Sequence, residues 1–426
     1  MQANIKNTNQ KRVVIIGGGF GGLKLARQLS DSPYQVVLID KNNYHQFQPL
    51  FYQVATAGLE PSAISFPFRK VFQKANNIHI RVAEVLKIDA DKKQLETSIG
   101  LVVFDYLVIA IGADTNFFGN QNMIKHAMPM KSVGEALALR NNILQNYENA
   151  LITSDEATRK GLMNMVIVGG GPTGVEVAGT LAEMKKTVLP KDYPELDFNL
   201  MQVHLLEGSN RVLSSMSEIA SEKAKEYLVK LGVDVALNAR VVDYDGQKVT
   251  LADGTIIPTN TLVWAAGVIG NKIEGLNSEV IARGNRIMVD EMNQVKGYAS
   301  IFALGDIALM TTATYPNGHP QVAQVAIQQG ELLAKNLIGL SKGKAMKAFV
   351  YKDLGSMATV GRNKAVVDLP NIKFQGFFAW MVWMFVHLMS IVGIKNRLLI
   401  FINWAWNYFT YDQSLRLIIK PKSSKS

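Results

Sequence analysis

The chain has 426 residues, 48% of them apolar, with 45 Lys+Arg against 35 Asp+Glu. That length suggests two to three domains, and the apolar fraction excludes a disordered chain. The absence of cysteine excludes disulfides, Cys-ligated zinc or iron–sulfur clusters, thiol nucleophiles and redox-active Cys pairs. Residues 1–10 are polar and run into Lys11-Arg12 without an apolar stretch. No secretory signal is expected, and the protein should stay where it is made.

Val13 to Ile16 is a β-branched run of the kind found in buried parallel strands. It breaks into Gly17-Gly18-Gly19-Phe20-Gly21-Gly22, a G-x-G-x-x-G pattern, and then a helical stretch from Leu23 to Leu29. In such a loop Gly17 permits the tight turn, Gly19 admits a pyrophosphate and Gly22 lets the helix pack on the strand. The start of the helix favours the anion. A second strand, Gln35 to Ile39, ends at Asp40, 18 residues past Gly22, where an acid should take ribose hydroxyls.

The pattern recurs after the strand Met165 to Val168, with Gly169, Gly171 and Gly174 at the same spacing, Pro172 and Thr173 between them, and Glu176 two residues on in what reads as the first helical turn. Its acid is less regular. Strand Gln202 to Leu206 ends at Glu207, 33 residues past Gly174, and the excess falls in 187–199, which holds Pro190 and Pro194. Glu207 reads either as the ribose acid or as a solvated strand end. As the ribose acid it would repel a 2′-phosphate and favour NADH over NADPH. Two matching strands, Tyr106 to Gly112 (with Ala110) and Leu262 to Gly267 (with Ala266), mark the exits of the two units. Ile301 to Leu304 leads into Gly305-Asp306, placed to meet a flavin ribityl chain or simply to cap a helix. Two dinucleotide folds in one chain suggest a tightly held flavin and an exchangeable nicotinamide.

The last fifth differs. Residues 341–426 hold 13 basic and 3 acidic residues, whereas the first 340 hold 32 of each. Gly376 to Ile394 carries no formal charge over 19 residues. A second apolar run from Leu398 holds Trp404, Trp406, Tyr408 and Tyr411, and Arg416, Lys420, Lys422 and Lys425 close the chain. Three readings are open: a helical pair on a membrane surface, a membrane span, or a buried core or dimer helix. His387 and Ser390 in the first run, and Asn403 and Asn407 in the second, favour the surface pair. Basic residues among Trp and Tyr suit anionic headgroups rather than nucleic acid.

Together these motifs resemble the two-dinucleotide flavoprotein reductases. Further segments narrow the likeness: His45-Gln46-Phe47-Gln48-Pro49-Leu50-Phe51-Tyr52-Gln53-Val54-Ala55-Thr56, Ala323-Gln324-Val325-Ala326-Ile327-Gln328, and Val386-His387-Leu388 with Asn396-Arg397 and Asn403-Trp404. These are similar to the type II NADH:quinone oxidoreductases. The resemblance implies an α/β fold with two Rossmann-like domains, for FAD and NADH, plus a C-terminal membrane-associating helical region. It implies non-covalent FAD at Gly17, Gly19, Phe20, Gly21, Gly22, Asp40, Lys41, Gln48, Val82, Ala110, Gly112, Asp306 and Ala323. It implies NADH at Gly169, Gly171, Pro172, Thr173, Gly174, Glu176, Glu207, Ala266 and Gly267. Glu176 would act at the rings, and Gln324 and Gln328, on one helix face, toward the quinone. Lys364 and His387 are weaker candidates there.

The implied partners are a membrane quinone and an anionic bilayer surface, with a homodimer open. The implied location is peripheral, on the cytoplasmic face of the cell membrane. The expected domains are 1–115 with 298–340 for FAD, 116–297 for NADH, and 341–426, strand-rich over 346–370 and with amphipathic helices over about 376–419. The histidines show no metal-ligand spacing. Two rival readings remain: a flavin reductase of a soluble carrier, which would not need so apolar a tail, and an NADH- and flavin-binding signalling protein.

Overall fold

The computed structural model describes residues 3–410 and 416–419. Tyr411, Lys420, Lys422 and Lys425 lie outside the described residues. The chain divides into two compact units. One comprises Met1–Gln46, Phe66–Asp114 and Val268–Asp353; the other comprises Phe47–Ser65, Thr115–Gly267 and Leu354–Ser426.

The first unit is built on a five-stranded parallel sheet in the order Ile301–Ala303, Tyr106–Ile109, Arg12–Ile16, Gln35–Asp40, Ile78–Val82. Val13, Val14 and Ile15 are fully buried, as a central parallel strand covered on both faces requires. A three-stranded antiparallel meander, Val85–Asp89, Gln94–Thr97 and Gly100–Val103, adds Ile88, Leu95 and Val102 to the core of this unit.

The second unit repeats the plan with four parallel strands, in the order Val233–Leu237, Val203–Glu207, Met165–Val168, Thr261–Trp264. Its helix Val133–Ile152 starts at a capping box. The Glu135 N–H donates to Ser132 Oγ at 3.2 Å, and the Ser132 N–H to Glu135 Oε2 at 2.9 Å. Helix Glu218–Leu231 stops at Gly232, whose φ of 89° is the left-handed stop that glycine makes cheap.

The antiparallel strands Ser356–Thr359, Ala365–Asp368 and Lys373–Gln375 belong to this unit as well. They are fastened to it by Asp368, which accepts from the Ser217 N–H at 2.6 Å and from its hydroxyl at 2.9 Å. Helices Phe377–Ser390 and Ile394–Thr410 follow. The 19-residue apolar run is therefore interrupted before Gly393, at φ 86°, and no helix among the described residues is long and apolar enough to cross a membrane. The spanning reading is set aside on that ground.

Candidate functional site

In the first unit, strand Arg12–Ile16 lies between Gln35–Asp40 and Tyr106–Ile109, so its loop opens at the carboxyl edge of the sheet, where doubly wound folds take ligands. Gly17 sits at φ 97°, and a side chain there would strike the Ala110 carbonyl oxygen. A side chain on Gly22 would strike the carbonyl oxygen of Gly17. A Cβ on Gly19, by contrast, would meet nothing within 4 Å: the loop is crowded behind and open in front. Gly19 caps helix Phe20–Gln28 without a side-chain hydrogen bond, which suits a phosphate there.

Asp40 accepts from the Gly18 and Asn42 N–H groups, both at 2.7 Å. Burial raises its pKa, against those two N–H groups and the charge of Lys41. Val82 is in register with Asp40 and is exposed. Gly112, at φ 69°, ends the loop after Tyr106–Ile109.

Asp306 stands in the turn Gly305–Ile307. Buried Gln329 accepts from the Gly305 N–H at 2.7 Å, and Ala323 begins the helix that carries Gln329. Ala326 of that helix lies against both Gly21 and Gly305, which brings the first glycine loop, the Asp306 turn and the Ala323 helix start together. Gly21 thus serves helix packing. Gln329 escapes the sequence reading; its only signal is a polar residue four positions past Val325, on the buried stripe of the helix.

Gln324 and Gln328 share a helix face. Gln324 Oε1 accepts from the Tyr351 hydroxyl at 3.1 Å. The Gln328 amide donates to the Lys352 carbonyl at 2.9 Å and accepts from the Lys352 N–H at 3.0 Å, so it grips main chain. Gln48 is exposed and falls in the second unit, in the turn Gln48–Leu50.

The second glycine loop reproduces the first. Gly169 has φ 108°, and a side chain on Gly174 would strike the Gly169 carbonyl oxygen. Gly171 again faces open space and caps the helix, with Pro172 at its first position and Thr173 exposed. Glu207 accepts from the Gly170 N–H at 2.5 Å and from the Ser209 N–H at 2.7 Å, as Asp40 does from Gly18 and Asn42. Glu207 is therefore no solvated strand end. Ala266 and Gly267 follow strand Thr261–Trp264, and the Gly267 carbonyl accepts from the Asn116 N–H at 3.2 Å. Gly174→Ala should lower the stability of this unit by about 1–3 kcal/mol, because the helix must back away from the loop. Urea unfolding followed by circular dichroism checks this.

Glu176 differs from the sequence expectation. Pro172 starts the helix, so Glu176 is its fifth residue, outside the first turn, and is only 7% exposed. Proximity to the helix start therefore does not explain it. Burial pushes its carboxyl up to about 8, against the Thr359 N–H at 3.5 Å and the Trp383 side chain.

Beside it lies a cavity of about 110 Å³, within the second unit. Trp380, Trp383, Trp404 and Tyr408 of the two C-terminal helices form one wall; Tyr52, Thr180, Glu183 and Arg362 complete much of the rest. Trp383 packs on Tyr52 at 6.3 Å and on Trp404 at 6.1 Å, between ring centroids. Trp404 Nε1 donates to Gln53 Oε1 at 2.7 Å. None of these cavity residues was singled out as a site from sequence, because they come from five separate stretches of chain.

His387 stacks on Trp383 at 4.0 Å, and its Nδ1 lies 2.8 Å from the Trp383 carbonyl. Burial lowers its pKa to about 4, so the ring is neutral and its Nδ1 donates. Lys364 places its ammonium 6.0 Å from the Tyr227 ring centroid. Among the described residues, no three His, Asp or Glu side chains gather as a metal site.

Two asparagines of the second C-terminal helix turn inward. Asn396 donates to the Ser62 and Ala63 carbonyls at 3.1 and 3.0 Å, and Asn407 to the Gly58 carbonyl at 3.3 Å. Ala379, Trp383, Ile400 and Trp404 are buried with them. Phe378, Met381, Phe385 and Met389 line the opposite stripe of the first helix and are exposed, as are Leu398, Ile402, Trp406 and Phe409 on the second.

Comparison with known proteins adds three findings. The family described as pyridine nucleotide-disulphide oxidoreductase matches residues 11–330, and the NDH2 C-terminal domain matches residues 354–410. The chain is 35% identical to the type II NADH:quinone oxidoreductase Ndh of Mycobacterium tuberculosis, over 94% of this chain and 88% of that one. It is 31% identical to the mitochondrial internal alternative NAD(P)H-ubiquinone oxidoreductase A1 of Arabidopsis thaliana, over 95% and 86%. In fold it is similar to NDH2 from Plasmodium falciparum, solved in complex with NADH, with a TM-score of 0.89 at 22% identity, covering 97% of this chain and 100% of that one.

Proposed function

We propose the division of roles among these residues from one premise: the chain belongs to the type II NADH:quinone oxidoreductases. It oxidises NADH and reduces a quinone through FAD, without proton pumping. One NADH and one quinone react with one proton from solution to give NAD⁺ and quinol.

The first unit fits FAD. Its loop is open only in front of Gly19, its acid is fixed at Asp40, and its second helix starts beside Asp306. Gly17, Gly19, Phe20, Gly21, Gly22, Asp40, Lys41, Gln48, Val82, Ala110, Gly112, Asp306 and Ala323 would hold the group. When bound, FAD supplies the two-electron redox chemistry.

The second unit receives NADH. Gly169, Gly171, Pro172, Thr173 and Gly174 take the pyrophosphate, Glu207 the ribose, and Ala266 and Gly267 line the approach. Glu176, neutral at pH 7, can donate as well as accept a hydrogen bond, which suits it to orient a nicotinamide carboxamide. A 2′-phosphate beside the Glu207 carboxylate is repelled. NADH should therefore be preferred by at least about tenfold in kcat/KM, and Glu207→Gln should narrow that preference. Parallel NADH and NADPH titrations decide it; an unchanged ratio removes Glu207 from the discrimination.

The observation that carries the quinone assignment is the aromatic cavity walled by two helices whose apolar stripes face outward. A soluble monomer rarely exposes a continuous apolar surface of this kind. The reading is a helical pair lying in the headgroup region of an anionic bilayer, peripheral and on the cytoplasmic face, that lets a lipid-dissolved quinone reach the cavity from below. Gln324 and Gln328, uncharged amides on one helix face, are proposed to act toward the quinone, with Gln328 also holding the main chain of Lys352. A homodimer is compatible with this arrangement. The experiment is NADH oxidation by the FAD-loaded enzyme with a short-chain benzoquinone, with and without anionic vesicles. Quinone-dependent turnover supports the reading, and its absence sinks it.

A further inference from the structure

We propose that Glu183 is the proton donor to the quinone in the aromatic cavity, a proposal that rests on the quinone reading above. Quinone reduction forms two O–H bonds. Over a turnover NADH supplies the electron pair and one of the two protons, and solution supplies the other proton. In the proposed step the Glu183 O–H breaks, a quinol O–H forms, and a solvent proton restores the carboxyl.

Glu183 is the only carboxyl group among the residues lining the cavity; Glu176 does not line it. Glu183 lies seven residues past Glu176 on helix Pro172–Thr187, with Thr180 between them, so the three share a face. The strand pair 356–368 is fitted to that face. Thr359 presents its N–H to Glu176, and Arg362 its N–H to Glu183 Oε1 at 2.5 Å. Gly361 lies between them at φ 78°, and a Cβ there would come within 2.7 Å of Glu183 Oε1. The main chain has been cleared to let the carboxyl reach the cavity with one oxygen held.

Four groups set its charge. Burial raises its pKa, opposed by the Arg362 N–H and guanidinium, Lys364 and Lys186. The Arg362 guanidinium also donates to the Asn407 and Tyr408 carbonyls at 2.8 and 3.1 Å. Tyr52, buried on the cavity wall, is acted on by the charges of both Glu176 and Glu183, and its hydroxyl accepts from Gln53 Nε2 at 2.8 Å.

Glu183→Gln keeps the acceptor for the Arg362 N–H and removes only the acidic proton. The test uses the FAD-loaded full chain with two acceptors: a short-chain benzoquinone, which needs protons, and ferricyanide, which takes electrons alone. Benzoquinone kcat should fall at least about tenfold across roughly pH 6 to 9, ferricyanide reduction should stay within about twofold, and Glu183→Asp should recover part of the loss. Benzoquinone binding, read by quenching of cavity tryptophan fluorescence, should be unchanged. The proposal is overturned by a benzoquinone kcat within about twofold of the parent, by both acceptors slowing together, or by a weakened benzoquinone affinity that accounts for the loss. Failure of the parent enzyme to reduce benzoquinone while it reduces ferricyanide would remove the quinone reading itself.

Discussion

Glu176→Gln is expected to make the protein more resistant to unfolding at alkaline pH and to leave it nearly unchanged in acid. Burial raises the carboxyl from an ordinary 4.5 to about 8 in the fold. A raised acid binds its proton more tightly folded than unfolded. The stability this gives is whole below about pH 4.5, where both states are protonated. It falls as pH rises, because the unfolded chain releases the proton first, and is lost through pH 8. The full difference is on the order of several kcal/mol. Glutamine has the shape of the neutral acid and has no proton to lose, so it escapes the penalty. Unfolding free energies of parent and variant from urea titration should coincide near pH 4 and separate by several kcal/mol near pH 9. Equal midpoints at pH 9 would mean that Glu176 is solvated on the alkaline side and ionises at little cost.

The two glycine loops, Asp40 and the paired exit strands were legible because each is a local pattern. Strand hydropathy, turn glycines and one terminal acid all fall within about thirty residues, a length over which sequence spacing and fold geometry are tied. Glu207 was half-legible. The segment 187–199 folds partly into the short helix Leu189–Asp192, which lengthens the connection without moving the strand, so spacing failed while the contact with Gly170 held.

The setting of Glu176 is not legible from the glycine pattern. Pro172 fixes the helix start earlier than the glycine pattern suggested. The cavity was not legible at all. Tyr52, Glu183, Arg362 and Trp383 meet only through tertiary packing, and Trp383 in an apolar run gives no sign that it turns inward. The same run places Phe378 and Phe385 on the outside, and helical period alone says that two faces exist, not which is buried.

Which face is buried decides the second large effect. Phe378, Phe385 and Phe409 are 78%, 65% and 80% exposed, although an ordinary amphipathic helix would bury such residues. Burying a phenylalanine side chain is worth about 1.5–3 kcal/mol. Even half of that per residue, gained in the headgroup region, amounts to a few kcal/mol for three residues, or on the order of a hundredfold in partitioning. The triple variant F378S/F385S/F409S should therefore bind anionic vesicles at least about a hundredfold more weakly in co-sedimentation, with helix content by circular dichroism unchanged. Raised salt should weaken the parent further through the basic residues flanking these helices, since that contribution is screened over about 10 Å at 0.1 M. Vesicle binding by the triple variant equal to that of the parent would show that the outward stripe is covered by something other than lipid, and a second copy of the chain would then be the surface to look for.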